Sequence, residues 1–294
     1  MGPQLSKGRR IRGGVAGLLI LVSWAPAWAW WGDGHALLTQ AAVLALPAGV
    51  PAFFRQGGEA MANGAPEPDA ERNQVLPHLK SAGRGEHFLD LELLGGKPLP
   101  EQRYEFFKLC AASGVDPSQV GTLPYAVAEG TERLALVFAQ HRRWPQNTLV
   151  QGECLVAAAY LAHYAEDLCQ PLHTTVHYDG RAGADGKSPH SGIHEKVDAL
   201  PGRLALSAEA LARGQAIVAA DSLMPAILAQ LQASNALVDS VYALEGELDR
   251  PESPRVRAFG EERSRAAVNF TAALFARAWE LSATVELPAW LKRD

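Results

Sequence analysis

The stretch from Leu155 to Leu168 constrains this chain most. It is an apolar, helix-forming run interrupted by an imidazole, His163, and a carboxylate, Asp167, four positions later. Positions i and i+4 share one face of an α-helix, so both side chains point the same way. An ionised carboxylate placed among Leu, Val and Ala is costly unless a cation compensates it. Pro171 bends the chain after this helix, and His173 returns a second imidazole. The spacing His163-x3-Asp167-x5-His173 therefore describes a helix that carries potential metal ligands into a hydrophobic interior.

A second pair, His194 and Asp198, repeats the four-residue spacing. In isolation it would read as an ordinary surface or capping pair. Beside the first motif it reads as another imidazole and carboxylate for a metal. His190 lies nearby as an alternative to His194.

Helical periodicity dominates the chain beyond residue 100. It predicts helices over Arg103 to Ala112, Tyr125 to Arg143, Glu153 to Leu168, Leu204 to Leu223, Ala226 to Leu248 and Glu261 to Glu280. Alternating strand patterns are hard to find. Pro and Gly gather between the helices, as at Gly95 to Pro100 and Gly180 to Pro189. The expected fold is all-α, a single multi-helix domain with long loops. The loop from Gly64 to Gly85 is too long for a mere connector, which suggests a functional role.

The first residues read as an export leader, not as fold. Lys7, Arg9, Arg10 and Arg12 precede an apolar run from Val15 to Trp24, and Ala27-Trp28-Ala29 supplies a cleavage site. The run is too short to span a bilayer, which takes about twenty residues. Cleavage after Ala29 would divide the chain into a leader, 1–29, and a mature domain, 30–294. The net charge would move from −5 to −9, because the leader carries four basic residues and no acid. That balance excludes a protein that grips nucleic acid through one broad basic face.

Export permits disulfides, but the three Cys leave at least one unpaired. Cys154 and Cys169 fall on one predicted helix, about 22 Å apart at 1.5 Å per residue, so they are not expected to pair with each other. Cys110 is left able to pair with either. Asn269-Phe270-Thr271 is formally a glycosylation sequon, within a helical pattern.

These motifs resemble a family of exported trinuclear-zinc hydrolases: the single-strand nucleases of fungi, plants and bacteria, together with bacterial zinc phospholipase C. The resemblance runs from Trp30 to Asp198. It implies three Zn²⁺ ions. The new N-terminal Trp30 would bind the first through its α-amino and carbonyl groups, with His35 and Asp167. Asp69, His87, His163 and Asp167 would hold the second, so that Asp167 bridges two ions. His173, His194 and Asp198 would hold the third. Nitrogen and oxygen ligands without Cys suit a hydrolytic zinc cluster that supplies a bridging hydroxide near neutral pH. Asp69 shares its loop with Glu67 and Glu71; in the family reading it also orients or deprotonates the water.

The family divides by substrate. In the nucleases, Phe88 and Asp90 would surround a nucleobase, and stacking on an aromatic suits unpaired bases. The phospholipases share this segment. The short interval from Trp30 to His35 and the position of Arg72, which would stabilise phosphate charge, lean toward a nuclease. The Cys pattern departs from the fungal nucleases, and Gly180 to His190 is an unfamiliar insertion. The expectation is a monomeric exported phosphodiesterase with no protein partner. Its substrate would be single-stranded RNA or DNA, with 3′-nucleotidase activity alongside; phospholipid is the alternative substrate. A non-catalytic secreted protein that keeps the metals structurally is the competing class.

Overall fold

The computed structural model describes residues 1–2 and 32–293, so residues 3–29 of the expected leader, and Trp30, lie outside the described residues. Among the described residues there is helix and no strand. Two isolated bridges, Leu89 with Gly121 and Tyr178 with Gly180, are the sheet-like pairings found.

The N-terminal part holds α1 (Gly32–Leu44), α2 (Ala52–Gln56), α3 (Gly58–Gly64), α4 (Glu67–Ala70) and α5 (Pro77–Gly83). The middle holds α6 (Arg103–Ser113), α7 (Pro117–Val120), α8 (Leu123–Arg143) and α9 (Thr148–Cys169). Then follow α10 (Ile193–Asp198), α11 (Leu200–Arg203), α12 (Ala208–Ala212), α13 (Leu223–Asn235), α14 (Val238–Tyr242) and α15 (Pro254–Leu281).

Helices α8 and α9 form a hairpin across the turn 144–147, and α1 and α15 pack against α9. Asn147 starts α9 by accepting the N–H groups of Leu149 and Val150 at 3.0 and 3.2 Å, a cap worth about 1 kcal/mol. The helix stops before Pro171, where Gln170 is extended, the conformation that a following proline enforces. Ala158, Ala162 and Ala165 are fully buried on α9 and let its neighbours approach closely. Phe54, from α2, packs edge-on against Phe138 of α8 and Phe275 of α15, with centroids 4.8 and 5.4 Å away. A smaller apolar cluster of Leu172, Ile193, Val197, Val241 and Val256 seats α10 on α14 and the start of α15.

The long helices over 103–112, 125–143, 153–168 and 261–280 are present, each slightly extended. Two expected helices are not. The segment Leu204 to Leu223 shrinks to α12, because Ala205 and Gly214 both take positive φ and Ser207 caps a new start at Ala210 N–H. Ala226 to Leu248 breaks after Asn235, whose amide donates to the Thr174 carbonyl at 2.9 Å and ties the break to the turn after α9. The predicted loop Gly64 to Gly85 contains α4 and α5, so it is partly helical. All three Cys are buried and free, which rules out the pairing of Cys110 left open above.

Candidate metal centre

Three groups of buried His and Asp side chains converge beside α9: His35, His163 and Asp167; Asp69, His87 and His163; and His173, His194 and Asp198. The elements deliver them from six places. His35 comes from the first turns of α1, Asp69 from α4, and His163 and Asp167 from the last turns of α9. His87 and His173 come from the 3₁₀ turns Arg84–His87 and Pro171–Thr174, and His194 and Asp198 from α10.

Asp167 is fully buried and stands at the centre. Its Oδ1 lies 3.5 Å from His35 Nε2 and 3.8 Å from His173 Nε2. Its Oδ2 lies 3.1 Å from His87 Nδ1 and 3.3 Å from His163 Nε2. One carboxylate thus faces residues of all three groups.

The opposite edge is held in four of the five imidazoles. His35 Nδ1 donates to Glu166 Oε2 at 2.7 Å, and Thr39 donates to the other oxygen of Glu166 at 2.9 Å. His163 Nδ1 donates to the Ala65 carbonyl at 2.9 Å and His194 Nδ1 to the Tyr178 carbonyl at 3.0 Å. His173 Nδ1 donates to the His87 carbonyl. Each bond places the proton on Nδ1 and leaves an Nε2 lone pair facing inward, the arrangement that orients imidazoles for a metal. His87 differs, since its Nδ1 faces the cluster, 3.0 Å from His163 Nε2 and 3.8 Å from Asp69 Oδ1.

The inward atoms form a suitable donor set. His35 Nε2, Asp69 Oδ2, Asp167 Oδ1, His173 Nε2 and Asp198 Oδ2 are buried without a hydrogen-bond partner. Donor separations within the groups include 3.0, 3.1, 3.3, 3.5 and 3.8 Å. Ligand atoms around one small tetrahedral cation, with bonds of about 2.0–2.1 Å, stand about 3.3 Å apart. Unpaired lone pairs this close, in an apolar surround, fit metal ions.

The electrostatics are correspondingly strained. Burial would lower His35, yet the carboxylates of Asp167 and Glu166 beside it push it up to about 10. His87 goes the other way, to about 4, because burial and the neighbouring His163 outweigh Asp167 and Asp69. Burial also lowers His173. His194 is raised to about 9, since Asp198 overcomes burial. Burial opposes the charge on Asp167, but the imidazoles around it hold its carboxyl well below the usual range.

The remaining predicted residues fall as follows. Asp69 is the buried acid of its loop, while Glu67 is exposed and Glu71 accepts from the Tyr160 hydroxyl at 2.6 Å. Arg72 donates to Asp69 Oδ1 at 3.1 Å and stays 40% exposed at its side chain. Phe88 is half-buried, and Asp90 is buried and pushed up to about 7 by burial and then by Glu92. This segment is clamped by Gly121, at φ +89°, where a Cβ would fall 2.0 Å from the Phe88 carbonyl oxygen. His190 is 71% exposed, 3.5 Å from Asp179, and joins no group.

Two residues escaped the sequence reading. Glu166 supports His35, and its only signal was a second acid beside Asp167 in the apolar helix. Gln170 donates to Asp198 Oδ1 at 2.7 Å while its own oxygen caps the following turn. The segment from Gly180 to His190 is pinned at both ends. Asp179 accepts the N–H groups of Gly192 and His194 at 2.7 and 3.3 Å, and Tyr242 accepts the Gly180 N–H at 3.0 Å.

No protein-family model matches the chain, and no curated protein matches its sequence.

Proposed function

We propose that the chain is an exported zinc-dependent phosphodiesterase that hydrolyses single-stranded RNA and DNA. One observation carries the reading: Asp167, fully buried, faces four inward imidazole nitrogens with both of its oxygens. Nitrogen and oxygen donors without thiolate favour zinc in a hydrolytic role. His35 with Asp167, His87 and Asp69 with His163, and His173 with His194 and Asp198 would hold three ions, with Trp30 completing the first. Bound zinc would supply Lewis-acid polarisation of a phosphoryl oxygen and would acidify water near neutral pH.

The chain's own groups supply the rest. Asp69 is held through Oδ1 by Arg72, and its Oδ2, buried and without a protein partner, is available to accept a proton from water. Arg72, half-exposed at the same place, offers a guanidinium to a phosphate as its charge grows. Phe88 offers a ring for an unpaired base to stack on. Asp90 stands beside it with a carboxyl near half-protonation at neutral pH, able to donate or accept toward a base edge. Glu166 and three backbone carbonyls keep the imidazoles from rotating.

The test is to titrate zinc into the mature protein with single-stranded RNA, single-stranded DNA and phosphatidylcholine as substrates. Zinc-dependent cleavage of the nucleic acids is expected; none across a range of pH would sink the reading. A second reading, phospholipase C action on phospholipid, is favoured by one observation: exposed Val75, Leu76 and Leu79 follow Asp69 and Arg72 closely in the chain. Release of phosphorylated headgroup without nuclease activity would select it.

A further inference from the structure

Between Asp69 and His87 the chain makes an excursion that the metal centre does not use. From Arg72 to Gly85 it carries Arg72, His78, Lys80 and Arg84 and no acid, within a chain of net charge −5. None of the residues of its helix, α5, is buried. Val75, Leu76 and Leu79 are 80%, 47% and 42% exposed. Leu76 stands at the N-cap of α5 and Leu79 in its first turn. Pro77 stiffens the helix at its first position. The feet of the excursion are fixed: Asp69 is bonded to Arg72, and the Gly85 carbonyl accepts Thr122 N–H at 2.6 Å. Three aliphatic side chains that add nothing to the core are thus presented to solvent, with cations, on a projection rooted in the metal centre.

We propose that this projection is a docking surface for an anionic lipid bilayer. Aliphatic side chains at a tip gain by entering the headgroup–acyl boundary, while flanking cations meet acidic headgroups. Val75, Leu76 and Leu79 supply the first part, and Lys80 and Arg84 the second. A nucleic-acid surface would pair the same cations with large rings for stacking, and residues 72–85 contain no Phe, Tyr or Trp. Adsorption rather than insertion is the mode, since no described helix is long and apolar enough to cross a membrane. The proposal stands apart from the choice of phosphodiester: it concerns where the protein sits.

The experiment is co-sedimentation of the full mature, zinc-loaded protein with vesicles of phosphatidylcholine, alone or mixed with phosphatidylglycerol. Binding is expected to the mixed vesicles and to weaken with salt. The double variant Leu76→Ser/Leu79→Ser should lose it. Lys80→Gln/Arg84→Gln should weaken it about twenty-five-fold, at about five-fold per cation. All four side chains lie outside the core, so zinc content and helical circular dichroism should match wild type. No binding to phosphatidylglycerol vesicles would overturn the proposal, as would binding that both variants leave intact. Loss of affinity for a non-cleavable single-stranded oligonucleotide, with vesicle binding unchanged, would also overturn it and assign the projection to nucleic acid. None of these readouts requires turnover, so a failed nuclease assay leaves the proposal separately decidable.

Discussion

Glu166 Oε2 lies 2.7 Å from His35 Nδ1, joining residues 131 positions apart, with both side chains wholly out of water. The bond sets which nitrogen of His35 faces Asp167 and raises the basicity of that nitrogen. A carboxylate behind an imidazole is a common device for tuning a metal ligand.

Glu166→Gln keeps a hydrogen-bond acceptor and removes the charge. Metal affinity should fall about 10- to 100-fold, the usual cost of losing such a partner. Competition against a chromogenic chelator measures it. An unchanged affinity would mean that His35 does not ligate.

Asp167→Asn removes the one charge that faces four imidazoles. Bound metal per chain, measured by atomic emission, should drop along with activity. Full stoichiometry in this variant would contradict a bridging carboxylate.

Asp90 gives a pH signature outside the three buried His and Asp groups. Its carboxyl is raised to about 7 in the folded chain, mainly by burial and then by Glu92, against 3.8 ordinarily. Between those values the folded state binds the proton and the unfolded state does not, so stability falls as pH rises from about 4 through about 7, by a few kcal/mol at most. Asp90→Asn should flatten that decline in melting temperature. Parallel curves for wild type and variant would show that Asp90 does not titrate there.

The buried thiols make a chemical prediction. Burial raises Cys154 to about 12, and raises Cys110 and Cys169 as well. A thiol reagent should find none of the three in the native protein and all three after denaturation. Melting temperature should not respond to reductant. Fewer than three thiols on unfolding would reveal a disulfide.

The helical class and the local pairing of His163 with Asp167 follow from sequence, because both depend on contacts within about one turn of helix. Pro171 is equally local, and it accounts for His173 turning back on the helix that precedes it. Elsewhere the choice lay between neighbours of the same chemical type. Asp69 is buried where Glu67 and Glu71 are not, and His194 reaches Asp198 where His190 points to solvent. Composition cannot separate such residues, since each differs only in which way its backbone segment faces the interior. The breaks near Ala205 and after Asn235, the free thiols, and the roles of Glu166 and Gln170 all depend on partners distant in sequence or on backbone conformation that periodicity does not report. Local spacing alone puts an imidazole and a carboxylate on one face of an apolar helix. Tertiary structure decided which partners meet them, because burying a charge commits the surrounding elements to compensate it.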